Sequence, residues 1–391
     1  MKGQACCSEK ISSSEPLGEK SGADAVALRK KTSFLLGSVA LFAVVLLWTF
    51  SSILTSHVLD HYKQPLIITV ASSVSFVFYF IFLIVPDPLM NIQRSEDNNA
   101  NDDEEKRAEG NEDKEGEDKE DEEPLPPLTL NETARVAFVF FILYFSSNCL
   151  LNCSLGNADL ASVSNLASTS GFFTLLIGYF AGVEKLSTLR MGAVFLSVIA
   201  TLLTVMPGFS ISSEATQAAL FALSSAFAYG LYSIYLKKVT KDESRVSMPM
   251  LFAFVGLYTL LIVVPALVVA HYMKWYVVDV PSRQTAGYIA INAIVGGLIP
   301  NYMWNVAFTL TTPLMVAIGL SFSTPLGVIA GYIKDGVLKT ESVIAAVIII
   351  LSFCLLNLAS LNKPLDDEID TNVLACMGIK RTRKQKKKQL A

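Results

Sequence analysis

The strongest constraint on this chain is that its apolar residues come in ten separate runs, each long enough to cross a membrane. A helix spanning the hydrocarbon of a bilayer needs about 20 predominantly apolar residues, because no water is present there to satisfy an exposed backbone. The runs are 33–54, 65–85, 136–156, 160–182, 186–206, 215–236, 248–270, 285–308, 313–333 and 343–361. They account for most of the 52% of the 391 residues that is hydrophobic. The expected fold class is therefore an all-α polytopic membrane protein with ten transmembrane helices. The first 31 residues are polar and contain no short apolar core followed by a cleavage site, so the first run is expected to direct insertion itself.

Charge gives the orientation. The net charge of −4 hides a segment, 96–123, that holds 16 of the 35 acidic residues against four basic ones. Without that segment the chain is mildly basic, and a nucleic-acid partner is not expected. Lys and Arg favour the cytoplasmic flanks of membrane helices. With the amino terminus inside, 25 of the 31 Lys and Arg fall on cytoplasmic segments, among them Arg29, Lys30, Lys31, Lys237 and Lys238. Both termini and the acidic segment are then cytoplasmic. The segment has too few apolar residues to offset its ordering entropy, so a disordered loop is expected, open to a cytoplasmic partner. His57, His61 and His271 fall on predicted outer loops.

The acidic segment also conceals a repeat. An offset of 181 carries spans one and two onto spans six and seven, and an offset of 153 carries spans three to five onto eight to ten. The offsets differ by 28, the length of 96–123, so that segment reads as an insertion into the first of two five-helix copies. Five is odd, so the copies are inverted in the membrane, an architecture recurrent in secondary transporters. The chain divides into a polar cytoplasmic tail 1–32, a first repeat 33–206 with its acidic loop at about 86–133, a second repeat 215–361, and a basic cytoplasmic tail 362–391.

Charged side chains inside a membrane helix are costly and usually functional, and the centres of these spans hold no Asp, Glu, Lys, Arg or His. The remaining candidates for a solute site are uncharged. Span four carries Asn165, Ser168, Thr169 and Ser170, and span nine carries Ser321, Ser323 and Thr324, with Ser168 and Ser170 matching Ser321 and Ser323 under the repeat. Asn301 and Asn305 lie one turn apart on span eight. Aromatic faces that can hold a cation or an organic ring come from Trp48, Tyr229, Tyr232 and Tyr302. Gly296, Gly297, Pro300 and Pro325 are expected helix hinges, since proline removes a donor and obstructs the preceding turn. The pairs Gly178 with Gly182 and Gly327 with Gly331 have GxxxG spacing and are expected to pack helices. Nothing has the spacing of a phosphate loop, a zinc site or a hydrolase elbow. No enzymatic activity, cofactor or metal is expected.

The run ASVSNLASTSGFFTLL at 161–176 and the run INAIVGGLIPNYMWNVAFTLTTPLMVAIGLSFSTPL at 291–326 resemble the drug/metabolite transporter superfamily with its EamA-type repeats. The similarity is nearest to the F-type branch of solute carrier family 35, the thiamine-repressible transporter-like proteins, and it covers 33–361. The resemblance implies a polytopic carrier of small organic solutes in an endomembrane such as Golgi or vacuole. The basic and Asn-rich signatures of the family's nucleotide-sugar carriers are not found here.

Together these features lead to a secondary-active transporter of a small metabolite, vitamin or drug-like solute working by alternating access. A nucleotide-sugar exchanger is the alternative within the class. A membrane scaffold acting through the acidic loop is the alternative outside it.

Overall fold

The computed structural model describes residues 17–83, 128–183, 187–206, 214–240, 246–310, 322–337 and 339–361. The acidic segment 96–123, the tail 362–391 and Ser321 lie outside the described residues. Among those described, every regular element is helical. Helix α1 (Leu17–His61) is followed by α2 (Pro65–Ser75), which tightens into a 3-10 stretch (Phe76–Leu83). After α3 (Leu130–Leu155) come α4 (Leu160–Ala167) and α5 (Ser170–Phe180), then α6 (Thr188–Val205) and α7 (Glu214–Thr240). Helices α8 (Met248–Tyr258) and α9 (Val264–Tyr272) are joined by a π turn (Thr259–Val263), and α10 (Arg283–Asn292) and α11 (Ile299–Leu310) by another (Ala293–Leu298). Helices α12 (Ser323–Asp335) and α13 (Thr340–Leu361) complete the described chain. Among the described residues, seven helical runs are long and apolar enough to cross a bilayer: Leu35–His61, Pro65–Leu83, Leu130–Leu155, Leu160–Phe180, Thr188–Val205, Glu214–Val239 and Met248–Tyr272.

Local sequence explains where the helices start and deform. Thr129 and Glu132 form a reciprocal capping box at the head of α3, and Asp159 accepts the Ser162 N–H at 3.0 Å to cap α4. Such caps satisfy amides that have no partner within the helix. Both π turns have one cause. The Val264 N–H reaches back to Thr259 O, and the Ile299 N–H to Ile294 O, and in each case the next residue is a proline, Pro265 or Pro300. Proline cannot donate and crowds the turn before it, and the widened helix relieves that crowding. The expected hinge around Gly296, Gly297 and Pro300 is therefore a π bulge. Pro325 sits in the first turn of α12, after the N-cap Phe322, where a missing N–H leaves no gap in the helix.

Packing is inverted relative to a soluble bundle. On α6, Met191, Phe195, Val198 and Leu202 are exposed at helical spacing, while Ala193, Ser197 and Ala200 are buried. On α13, Ile344, Val347 and Leu351 are exposed and Ala345, Ala346 and Ser352 are buried. Lipid tails cost such large side chains nothing, and small residues let helix backbones approach. The Ser352 hydroxyl accordingly reaches Ala193 O across this interface at 2.7 Å. Between α3 and α7 the same logic gives a reciprocal clasp: Ser147 Oγ donates to Ser225 O at 2.9 Å, and Ser225 Oγ to Ser147 O at 2.7 Å.

The structure corrects the expected position of the histidines. Helix α1 continues past the predicted end of span one, and His57 and His61 lie on its last turns, while His271 lies on α9. The extension is held by Val58 and Leu59, which are buried with Leu160, Val163 and Ile289.

Candidate solute-binding site

The predicted site residues fall into two groups. The first lies where α4 breaks. Ser168 Oγ donates to Ser164 O at 2.8 Å, and Thr169 Oγ1 to Leu166 O at 2.6 Å. These hydroxyls compete with the amide ladder, so the Thr169 N–H turns to Leu166 O and the helix restarts at Ser170. Across the break stands α12: Ser168 Oγ and Thr324 Oγ1 are 2.8 Å apart. Thr169 and Thr324 are each 1% exposed. Asn165, one turn earlier and equally buried, donates through Nδ2 to Ser342 O at 2.9 Å. Its Oδ1 has no hydrogen-bond partner among the described residues. Ser170 and Ser323 are half-buried beside this pair.

The second group is aromatic. The Tyr229 and Tyr232 rings are 4.8 Å apart, and Tyr232 lies 5.7 Å from Tyr144 and 5.2 Å from Phe140. Tyr302 stacks on Phe82 at 5.4 Å. Asn301 turns its Nδ2 back to Gly297 O at 2.7 Å, and with Asn148 it flanks the Tyr144 hydroxyl. Trp48 lies on α1, where its carbonyl accepts from Ser52 Oγ at 3.0 Å, and Asn305 is half-buried on α11.

The glycines divide in the same way. A Cβ on Gly327 would lie 2.6 Å from Ser164 Cβ, and one on Gly331 would lie 2.9 Å from Ala161 N, so both mark a close crossing of α12 with α4. Gly296, predicted as a hinge, also lets α1 approach, because a Cβ there would overlap the Ser51 side chain. Gly297 has only ordinary contacts with Phe76 and Ser72, and Gly178 is buried on α5. Gly182, expected to pack helices, instead follows α5 with φ +73° and open space around it. There it supplies the left-handed turn that ends the helix.

Sequence reasoning missed a third polar cluster. Ser51 Oγ donates to Asn292 Oδ1 at 2.7 Å, and Asn292 Nδ2 donates to Thr55 Oγ1 at 2.9 Å, joining α1 to α10 just before the second π turn. Asn292 stands at the head of the 291–326 run, and its position one helical turn before Gly296 was the available signal.

This arrangement, a membrane-embedded bundle of small-residue interfaces with uncharged polar and aromatic groups inside, defines the class: a membrane solute transporter. Known proteins agree. The chain is 31% identical over 340 residues to an uncharacterized transporter of Schizosaccharomyces pombe, covering 82% of this chain and 95% of that one. It is 29% identical to an uncharacterized vacuolar membrane protein of Saccharomyces cerevisiae, over 87% of this chain and 95% of that protein. Solute carrier family 35 member F5 of Mus musculus is 29% identical over 208 residues, 52% of this chain and 40% of the relative. No family model matches. One crystal structure superposes with a TM-score of 0.50 at 14% identity, over 82% of this chain and 96% of the other, which bears on the fold alone. The chain belongs to the solute-carrier transporter family that contains these relatives; it is a multi-pass membrane protein and its relatives are transporters, not enzymes.

Proposed function

We propose that the chain is a secondary-active carrier of a small neutral, zwitterionic or cationic organic solute, built as ten spans in two inverted five-helix repeats with both termini cytoplasmic. The observation that carries this reading is the pattern of helix neighbours. In terms of the predicted spans, three packs on six and eight on one; four on six and nine on one; three on seven and eight on two; and two, four and five pack on seven, nine and ten. These are the most extensive contacts between spans, and exchanging each span with the one five places away carries them onto one another, as a pseudo-two-fold relation between the copies would; smaller contacts, such as four with ten and one with three, are not matched to the same extent among the described residues. Such repeats rock about a central site to give alternating access.

The contact between Ser168 and Thr324 joins the two copies at a break in a helix, one turn from Asn165 Oδ1, which has no partner among the described residues. With the hydroxyls and amides near it, this supports a solute site formed by Asn165, Ser168, Thr169, Ser170, Ser321, Ser323 and Thr324. Trp48, Tyr229, Tyr232, Asn301, Tyr302 and Asn305 would supply its aromatic and amide walls. Span centres without charge disfavour a diphosphate, which needs cations or many aligned donors. Relatives are named as a vacuolar membrane protein and as a thiamine-repressible mitochondrial transport protein, consistent with an internal membrane.

A thermal-shift screen of the purified protein against pooled vitamins, amino acids, nucleosides and nucleotide sugars tests this reading, because a ligand of the folded state raises its stability by about 2.7 kcal/mol at 100 times Kd. Replacing Ser170 and Ser323 with Leu should abolish the shift, and uptake of the same solute into proteoliposomes, while the protein stays folded. An undiminished shift would remove those residues from the site. Exchange of a nucleotide sugar for its monophosphate would replace the solute class; deleting 96–123 should leave transport largely intact, and loss of all function with folding preserved would favour a scaffold.

A further inference from the structure

We propose that two ion pairs, Asp60 with Lys334 and Asp159 with Lys339, form a clasp that closes one mouth of the carrier and makes the state closed there its resting state. This rests on the alternating-access reading above. Asp60 is on the last turn of α1, and its Oδ2 lies 3.1 Å from Lys334 Nζ at the end of α12. The same ammonium donates to Ser56 Oγ at 2.5 Å. The Lys334 side chain is 16% exposed, so it is largely withdrawn from water. Asp159, at the head of α4, meets Lys339 just before α13 at 2.5 Å. Two further links cross at this end: Gln64 Nε2 donates to Asp279 Oδ2 at 2.9 Å, and Tyr62 donates to Asp279 O at 2.7 Å. Every one of these contacts joins a residue of 33–206 to a residue of 215–361. Beneath them lies the apolar cluster of Val58, Leu59, Leu160, Val163, Ile289 and Ala330.

Among the described residues the opposite end is joined by ring contacts. There Phe80 meets Phe254 at 5.4 Å, and Phe82 stacks on Tyr302 at 5.4 Å. Two inverted copies with identical ends would have closed states of equal energy, so a preference has to come from contacts that the repeat does not reproduce. The clasp is such a contact. The offsets carry Asp60 and Lys334 to Lys241 and Ala181, and Asp159 and Lys339 to Thr312 and Leu186; neither exchanged pair is an acid with a base. An ion pair also suits a seal that must break in every cycle. Near a membrane surface the separated charges regain water, so the paired and open states differ little in energy. The charge bias of the sequence puts this mouth on the non-cytoplasmic side.

The test is accessibility of a thiol beneath the clasp, which does not require that the solute be known. Thr55 is buried on α1, one turn before Asp60. In a chain whose native cysteines are replaced by Ser, Thr55→Cys is labelled with a soluble maleimide in nanodiscs. Changing Lys334 and Lys339 to Gln should raise the labelling rate about three- to tenfold, the population shift expected from losing two such pairs. Exchanging the charges (Asp60→Lys with Lys334→Asp, Asp159→Lys with Lys339→Asp) should bring it back. With the lysines intact, raising the salt concentration should also speed labelling, and this response should vanish in the Gln variant. Labelling that ignores both salt and the lysines overturns the proposal. A clasp that responds in a protein shown to carry no solute would leave the clasp standing and defeat the carrier.

Discussion

Replacing Gly327 with Ala should destabilise the protein by about 1–2 kcal/mol, although alanine is the better helix former. A Cβ there lies 2.6 Å from Ser164 Cβ, about 0.8 Å short of the 3.4 Å at which ordinary contact begins. Rotating the Ser164 hydroxyl away does not help, because the clash is with its Cβ. The helices α4 and α12 must therefore separate by most of that distance. The separation stretches the 2.8 Å contact between Ser168 and Thr324 beyond hydrogen-bonding range, and Thr324 is too buried to find water instead. Overpacking costs about 1–3 kcal/mol and the lost interhelical bond about 0.6 kcal/mol, while alanine returns up to about 1 kcal/mol of helix propensity. Gly192 on α6 is the control: a Cβ there meets nothing within 4 Å, so Gly192→Ala should be neutral or mildly stabilising. Thermal unfolding of both variants in one detergent gives the comparison as a rank order. If Gly327→Ala matches Gly192→Ala, the two helices do not cross as closely as described here.

Two other expectations follow from hydrogen bonds across helices. Ser147→Ala and Ser225→Ala should each cost about 0.6–1.7 kcal/mol, and the double variant should lose roughly their sum, because each hydroxyl donates to a backbone carbonyl that the other substitution leaves in place; a double variant no less stable than either single one by thermal unfolding would refute the reciprocal clasp. At Asp159 burial alone would raise the carboxyl pKa, but Lys339 and the Ser162 N–H outweigh it and hold it below the ordinary carboxylate value. A depressed folded-state pKa gives stability that is present above the unfolded value and is lost as pH falls through the folded one, so Asp159→Asn should flatten the loss of thermal stability below about pH 4, and an unchanged pH profile would contradict the pairing.

Much of the helical layout is readable from apolar run length, since a membrane imposes that length directly. The start of α4 follows its apolar run, whereas α3 begins before the run at 136, inside the loop expected to reach about 133, because Thr129 and Glu132 cap it there. Other features are not readable, for physical reasons. The end of α1 was missed because Thr55 to His61 is polar enough to resemble a loop, and only burial of Val58 and Leu59 against other spans keeps it helical. Pro300 was legible as a disturbance, but a kink and a π bulge obey the same local rule and differ in what the neighbours accept; at Gly296 the neighbour is Ser51, whose close approach no local pattern contains. The two GxxxG pairs look alike in sequence, yet Gly327 and Gly331 face α4 while Gly182 ends a helix. Spacing identifies small residues, but which face meets a partner is decided by tertiary structure. Asn292 was overlooked for a related reason, since its two partners, Ser51 and Thr55, are distant in the chain.

The state of the candidate polar groups limits how they can bind a solute. Ser168, Thr169 and Asn301 are already bonded to carbonyls of their own helices. A solute that takes these donors exchanges one hydrogen bond for another, and such an exchange contributes little net free energy. Asn165 Oδ1 differs, because it is a buried acceptor without a partner among the described residues, and satisfying it recovers a desolvation cost of about 1–3 kcal/mol. Net affinity should therefore come from one donor on the solute meeting Asn165 and from apolar or cationic surface against the tyrosines, while the bonded hydroxyls act mainly in discrimination. That division suits a carrier. A site that gained a hydrogen bond from every polar group would hold its cargo too tightly to release it, whereas one that exchanges bonds can select a solute and still let it go, as the proposed alternating access requires.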